Sequence, residues 1–260
     1  MAELDGSPAT SADLECLALT NFGHFTSMRV GADGTIRGFT HHMDRLSRDC
    51  QLVFGVQLDT EEVAARIRRT IAESAPPITI RATVFDPQIG MGNVGDTAAP
   101  KVLLTVRAAS TLPAPPTTAK TYEFSRDLPE VKHIALFSQL RLRRAAQLAG
   151  FGDAIFVERD GRISEGVTWN LGFVDRDGQV VWPDAPVLPG VTMRLLQDSH
   201  ESVTAPIRKS DLASIRAAFA TNVSIGVRPL TAIDEFNFPT EDPTLDLLQK
   251  VYSEVAGERP

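Results

Sequence analysis

The strongest constraint on the fold lies in the Asp-Gly dipeptides at 33–34, 160–161 and 177–178, each set between short apolar or β-branched runs. Asp-Gly supplies the left-handed backbone of a tight turn, whose twist matches that of the strands it joins. FTSMRV (25–30) and TIRGF (35–39) therefore pair as a hairpin around Asp33-Gly34. DAIFVE (153–158), RISEGV (162–167), NLGFVD (170–175) and QVVWP (179–183) follow the same rule, which predicts antiparallel sheet rather than the parallel sheet of a Rossmann fold. RAAFATN (216–222) and VRPLTAI (227–233) add further strands, and 243–255 has the apolar spacing of a closing amphipathic helix.

Helical periodicity appears between these runs. HHMDRLSRDCQLVFG (41–55) sets Met43, Leu46, Cys50 and Phe54 at helical spacing and ends on Gly55, a natural C-cap. Asp59 and Glu62 have capping-box spacing ahead of the stripe Val63, Ile67 and Ile71. ITIRATVF (78–85) and KVLLTVRA (101–108) read as strands, as does CLALT (16–20), while residues 1 to about 12 read as a loose tail. ASTLPAPPTTAK (109–120) combines small polar residues with prolines, which disfavours regular structure. The chain thus divides into an N-terminal domain, 1–108, a linker, 109–120, and a C-terminal domain, 121–260. In the latter, LPEVK (128–132) leads into a helix whose Leu136, Phe137, Leu140 and Leu148 share a face, and GVTMRLL (190–196) opens another helix.

Composition narrows the function class. The formal charge of −7 gives no general attraction to nucleic acid or an anionic membrane surface. Cys16 and Cys50 stand in no CxxC or metal-ligand spacing and read as buried thiols of a reducing cytosol. The acidic N-terminus lacks a signal-peptide pattern and no apolar run reaches the length of a membrane span, so a cytoplasmic enzyme of small-molecule chemistry is expected. Composition and periodicity alone stop at a two-domain α/β enzyme.

A sharper signal comes from segments that occur in a fixed order: FGHFTSMRV, HHMDRL, LPEVKH, GDAIFVERDGRISEGVTWN, LPGVTMRLL and ATNVSIGVRPLTAID, between about Phe22 and Asp234. Each is weak by itself; together, in order and at these separations, they are specific. The set resembles the fold-type IV pyridoxal 5'-phosphate (PLP) enzymes, the class IV aminotransferase family containing branched-chain and D-amino acid aminotransferases and aminodeoxychorismate lyase. The resemblance implies an α+β fold, with a small N-terminal α/β domain and a larger C-terminal domain on a β-barrel-like core. It also implies a homodimer with the active site near its interface.

The resemblance assigns roles residue by residue. A lysine at a helix entrance is ordinarily a solvated charge, but Lys132 matches the family's Schiff-base lysine. PLP chemistry needs an amine whose pKa can fall in a desolvated site, which Arg cannot supply. Glu165 matches the carboxylate that keeps the pyridine nitrogen protonated, so that the ring accepts the electron pair left by Cα–H cleavage. Asn170 matches its supporting asparagine, a strand-end structural role being the alternative. Arg45 matches the phosphate arginine, its planar fork suited to that group. Val191 and Thr192 open a helix whose N–H groups suit phosphate, and Asn222 and Thr221 are the further contacts expected. Arg48, one turn from Arg45, reads as solvated.

Substrate recognition is less marked. Arg81 lies on a strand in the family's substrate-side region, with Arg29, Arg126 and Arg228 as other candidates for a substrate carboxylate, and Phe25 as an apolar wall or a core residue. His24, His41, His42 and His133 form no metal-ligand spacing and read as structural or cofactor-adjacent. Phe137 replaces the tyrosine that branched-chain aminotransferases carry five residues after the lysine, which argues against that subgroup. The leading expectation is transfer of an amino group between an amino donor and a keto acceptor. A lyase making 4-aminobenzoate and pyruvate is the alternative, and a PLP-binding homologue without turnover a third.

Overall fold

The computed structural model describes residues 2–260, which divide into two compact units. Unit one comprises Met1–Ala109, Val131–Ala135 and Ala256–Pro260; unit two comprises Ser110–Glu130 and Leu136–Val255.

Unit one contains β1 (Ala2–Leu4), β2 (Ser7–Pro8), α1 (Ser11–Leu19), β3 (His24–Val30), β4 (Ile36–Arg37), α2 (Phe39–Phe54), α3 (Thr60–Ala72), β5 (Ile78–Phe85) and β6 (Lys101–Ala108). With the terminal strand Gly257–Glu258 they form one antiparallel sheet, ordered Gly257–Glu258, β4, β3, β5, β6, β1, β2. Strand alternation sends Met28, Val30, Ile78, Ile80, Ala82, Val84, Val102 and Leu104 to one side, where they pack on Met43, Leu46 and Cys50 of α2 and Val63 and Ile67 of α3. α2 ends as its sequence predicts: Gly55 adopts φ 68 and its N–H returns to the Gln51 carbonyl. Asp59 caps α3 by accepting from the Glu62 N–H.

Three local expectations are corrected here. Residues 2–8 are not a loose tail, because Ala2–Leu4 pairs with β6. CLALT is helical, since Thr10 and Asp13 form a capping box that nucleates α1 ahead of it. TIRGF contributes only two strand residues, as Gly38 turns the chain and α2 begins at Phe39.

Unit two contains β7 (Thr117–Glu123), α4 (Phe137–Leu148), β8 (Asp153–Val157), β9 (Ile163–Gly166), β10 (Asn170–Val174), β11 (Val180–Pro183), α5 (Val191–Ser199), β12 (Ser202–Ala205), a 3-10 turn (Lys209–Ser214), β13 (Ala217–Asn222), β14 (Gly226–Ile233), β15 (Phe236–Asn237) and α6 (Pro243–Glu254). Strands β10, β13, β14, β7, β8 and β9 pair in sequence, and β9 returns to β10, which closes a six-stranded barrel. Ile155, Ile163, Leu171, Phe173, Ala218, Ala220 and Leu230 belong to the core that fills it. On the outside, Trp182 and Phe219 pack against Val191, Leu195 and Leu196 of α5 and Leu245 and Leu248 of α6. The fold is thus the α+β architecture expected, with a barrel core in the second half.

The barrel is not wholly antiparallel as the Asp-Gly turns suggest. β8–β9 and β10–β11 are antiparallel, but β7 runs parallel to both β8 and β14, and β12 runs parallel to β11. Those pairings join strands remote in sequence, on which a turn dipeptide is silent. The last four residues of 109–120 belong to β7, where backbone pairing with β8 and β14 outweighs a weak local propensity. The face of α4 also differs. Leu142 and Ala146 are buried against Ala154 and Phe156 of β8, whereas Phe137, Leu140 and Leu148 are exposed. Two apolar stripes compete on this helix, and the neighbouring strand selects the one that lets Arg143 reach Asp153.

Candidate functional site

The residues singled out by sequence fall into one group in each unit. In unit one, Val131–Ala135 lies along the start of β3: the Phe25 N–H donates to the Lys132 carbonyl at 2.9 Å, the Ile134 N–H donates to the Gly23 carbonyl at 3.0 Å, and His24 and His133 form a bridge. The Lys132 N–H donates to Asp49 Oδ2 at 3.0 Å. These bonds fix the lysine's backbone, and its Nζ stands 4.9 Å from the centre of the Phe25 ring. The Arg81 guanidinium lies 3.6 Å from the same centre and donates from Nε to Thr83 Oγ1. Phe25 is thus a wall shared by two cations.

Arg45 is 6% exposed, in the second turn of α2. Its Nη2 donates to Thr26 Oγ1 and meets His42 Nδ1 at 3.2 Å; its Nε has no partner. Burial brings its pKa down to about 10, against the favourable field of Asp49. Asp49 is fully buried and takes Arg48 through both Nε and Nη2, so Arg48 is held rather than simply solvated. Burial is the largest influence on Asp49 and raises its carboxyl pKa, in spite of the Lys132 N–H and the two arginines. His24 and His42 are both fully buried; burial first, then nearby cations, push His24 down to about 3 and His42 well below its ordinary value. Both are neutral imidazoles at physiological pH.

In unit two, Glu165 on β9 pairs directly with Asn170 on β10, and Asn170 with Thr221 on β13. Glu165 is 2% exposed. Its Oε2 accepts from the Leu188 N–H at 3.2 Å and from Asn170 Nδ2 at 3.4 Å, while Oε1 accepts from Arg126 Nη1 at 3.2 Å. Asn170 Nδ2 also donates to the Leu188 carbonyl at 2.7 Å, tying the carboxylate to the turn that leads into α5. A Cβ on Gly190 would fall 1.9 Å from Asn170 Oδ1, so any side chain there would displace the Asn170 amide. α5 then begins at Val191 with no side-chain cap, and the buried hydroxyls of Thr192 and Thr221 have no partner. Val191 itself packs into the core beside α6. Asn222 spends its amide on the Thr168 carbonyl and on the Ser224 and Ile225 N–H groups, which shape the turn between β13 and β14.

Sequence reasoning missed Thr26 and Asp49 as members of these groups, and put Arg126 on a substrate carboxylate rather than on Glu165. Asp49 had a signal, because an acid four residues after Arg45 stands on the apolar stripe of α2 between Leu46 and Cys50. Of the other arginines proposed for a substrate carboxylate, Arg126 is committed to Glu165 and Arg228 donates to the Pro115 carbonyl. Chemically, unit one offers an amine on a fixed backbone, a buried guanidinium and an apolar ring. Unit two offers a buried carboxylate, an uncapped helix N-terminus and two buried hydroxyls, which suit a phosphate-sized oxyanion.

Residues 23–233 match the family model described as amino-transferase class IV. No curated protein sequence matches the chain. Among solved structures, a hypothetical aminotransferase from Mycobacterium tuberculosis in its PLP-bound form superposes with a TM-score of 0.81 at 19% identity, covering 98% of each chain. A branched-chain aminotransferase from Thermoproteus uzoniensis with norvaline gives 0.81 at 18% identity, over 97% of this chain and 93% of that one. The branched-chain amino acid aminotransferase from Escherichia coli gives 0.85 at 19% identity, over 100% and 95%. At such identities the likeness establishes a common fold.

Proposed function

Because the chain belongs to the class IV aminotransferase family, we propose that it is a PLP-dependent aminotransferase that moves an amino group from an amino acid or amine to a keto acid. The observation that carries this reading is a set of buried donors with no acceptor: Arg45 Nε, Thr192 Oγ1 and Thr221 Oγ1. A buried donor left unsatisfied costs about 1–3 kcal/mol, which an oxyanion acceptor brought to that donor would relieve. The residues present therefore fit the cofactor. When bound, PLP supplies an aldehyde to take the amine and a ring that accepts the electron pair released at the substrate's α-carbon.

Each residue then has a task. Lys132 would be the amine that holds the cofactor's aldehyde and the base at the substrate's α-carbon; Asp49 and the β3 edge keep its backbone still. Glu165 would hold the cofactor's ring nitrogen, with Asn170 and Arg126 fixing the orientation of its carboxylate. By the family resemblance, Arg45, Val191 at the start of α5, Thr192 and Thr221 are the residues that would contact the phosphate, and Asn222 shapes the turn after β13. Phe25 excludes water from the amine, and Arg81 takes a substrate carboxylate. The family resemblance also carries the homodimer, which sedimentation at micromolar concentration would reveal.

The test is reconstitution with PLP followed by borohydride reduction and peptide mapping. Cofactor trapped on Lys132, and loss of both trapping and turnover in Lys132→Ala, are expected. Full activity in that variant would sink the reading. Incubation with aminodeoxychorismate supplies the second arm, since release of 4-aminobenzoate and pyruvate without amine transfer to any keto acid would assign the lyase reaction instead.

A further inference from the structure

The hairpin that carries Glu165 and Asn170 is not held by its own turn. The flanking hairpins are: the β8–β9 connection has Gly161 at φ 85 and the β10–β11 connection has Gly178 at φ 90, both in the left-handed region that a tight turn uses. Between β9 and β10 the chain runs Val167-Thr168-Trp169, none of which has a positive φ and two of which are β-branched. The two strands meet in a single pair, Glu165 opposite Asn170. β9 and β10 are fastened on their far sides by β8 and β13, so how they face each other is left to the connection. A turn of this composition does not set that geometry by itself, and the constraint comes from outside it.

Its source is the Asp153 carboxylate, which accepts four donors. Oδ1 takes the Ala154 N–H at 2.8 Å and Arg143 Nε at 3.0 Å; Oδ2 takes Arg143 Nη2 at 2.9 Å and Trp169 Nε1 at 2.8 Å. Arg143 Nη2 also donates to Thr168 Oγ1 at 2.8 Å, and the Thr168 carbonyl accepts from Asn222 Nδ2 at 2.9 Å. The Gly166 N–H closes the bend on the Trp169 carbonyl at 2.9 Å. A Cβ on Gly166 would fall 2.1 Å from Trp169 Cε2, so the indole lies directly on the Gly166 backbone. Trp169 is buried and belongs to the barrel core with Ile155, Ile163 and Leu171. The ring is thus fixed at its N–H edge by a fully occupied carboxylate and on one face by the residue that follows Glu165.

We infer that Trp169, pinned by Asp153 and Arg143, is a positioning residue for Glu165: it sets the aim of that carboxylate and so the protonation of the cofactor's ring nitrogen. The second half of this inference rests on the aminotransferase reading, in which Glu165 meets that nitrogen. Leu188, Asn170 and Arg126 orient the carboxylate itself, whereas Trp169 touches the backbone on both flanks of the Glu165–Asn170 pair. A hydrogen bond weakens steeply with misalignment, so a carboxylate that swings with a loosened hairpin holds a partner's proton less firmly.

The experiment compares the parent protein with Trp169→Phe, which keeps an aromatic ring on Gly166 and removes the N–H, and with Asp153→Asn, which keeps the indole but offers one oxygen in place of two. In the cofactor-free protein, hydrogen exchange at the Leu188 N–H, the donor to Glu165 Oε2, should quicken about tenfold in both variants, the effect of one hydrogen bond to a charged group. The amides of β13 should stay within about twofold, since a loosened hairpin opens locally. After loading with PLP labelled at the ring nitrogen with nitrogen-15, that nitrogen should lose its proton about one pH unit lower than in the parent, the same tenfold effect read by titration. A merely structural role would quicken β13 together with Leu188 and leave the nitrogen's titration where it was. That pattern, an unchanged Leu188 rate, or an unchanged titration in the loaded variants would overturn the proposal. Should Leu188 quicken selectively in a protein that takes up no PLP, the aminotransferase reading falls and the positioning of Glu165 by Trp169 stands.

Discussion

Arg126 and Glu165 form an ion pair, Nη1 to Oε1 at 3.2 Å, with side chains only 7% and 3% exposed. Removing one member of such a pair strands a charge in a poorly solvated place, which typically costs 3–5 kcal/mol, whereas removing both is far milder. Arg126→Met is therefore expected to destabilise the cofactor-free protein by about 3 kcal/mol, and the double variant with Glu165→Gln to recover much of that. A urea-unfolding double-mutant cycle measures the coupling. Strictly additive effects would mean that the pair contributes no specific interaction.

Acid should unfold this protein early. His24 and His42 are buried and held neutral, with folded pKa values below that of a free imidazole, His24 at about 3. The unfolded chain then binds protons that the folded chain refuses, so stability is complete above about pH 6.5 and is lost as pH falls toward the folded values. Each group steepens the loss by up to about 1.4 kcal/mol per pH unit. Replacing His24, which neighbours the Phe54 ring and makes no hydrogen bond through either nitrogen, by Phe should flatten the curve between pH 6 and 4 by one group's worth. An unchanged slope in urea titrations across that range would contradict the assignment.

Gly190→Ala tests the join between the carboxylate and the start of α5. Gly190 has an ordinary φ of −72, so the obstacle is steric: its new methyl would meet Asn170 Oδ1. Asn170 would have to turn, releasing the Leu188 carbonyl and shifting the α5 N-terminus. The expected result is a loss of about 1–3 kcal/mol in stability and roughly tenfold in PLP affinity, since an oxyanion there depends on those N–H groups. Fluorescence titration with PLP reads the second effect, which Asn170→Ala in the same chain should partly restore if the clash is the cause.

The reach of sequence into this structure follows the range of the forces involved. Met43, Leu46 and Cys50 with Gly55 gave α2 nearly to the residue, because periodicity and a left-handed cap are both local. The same locality explains the failures. Ala2–Leu4 becomes a strand only through pairing with β6, and β7 becomes central only through β8 and β14. Phe137 and Leu140 looked like a buried stripe until β8 selected Leu142 and Ala146. In the functional groups, chemically distinctive residues such as Lys132, Arg45 and Glu165 stood out, since they lie in motif segments. Asp49 did not, and Arg126 was read for a different role, because their contacts lie 83 and 39 residues away in sequence.

Thr192 and Thr221 permit a prediction whose two effects have opposite sign. Both hydroxyls are buried without a partner, so each is a liability in the cofactor-free protein. Thr→Val removes the polar atom and keeps the shape, which should stabilise that form by about 1 kcal/mol at each position. If the hydroxyls exist to hold phosphate, the same substitutions should weaken PLP binding by about tenfold each, because a charge-assisted hydrogen bond is lost. A structural role alone would move melting temperature and affinity together. Thermal melts of the cofactor-free variants, set beside PLP titrations of the same preparations, separate the two; a variant that is both less stable and equally avid for PLP would remove these threonines from the phosphate position.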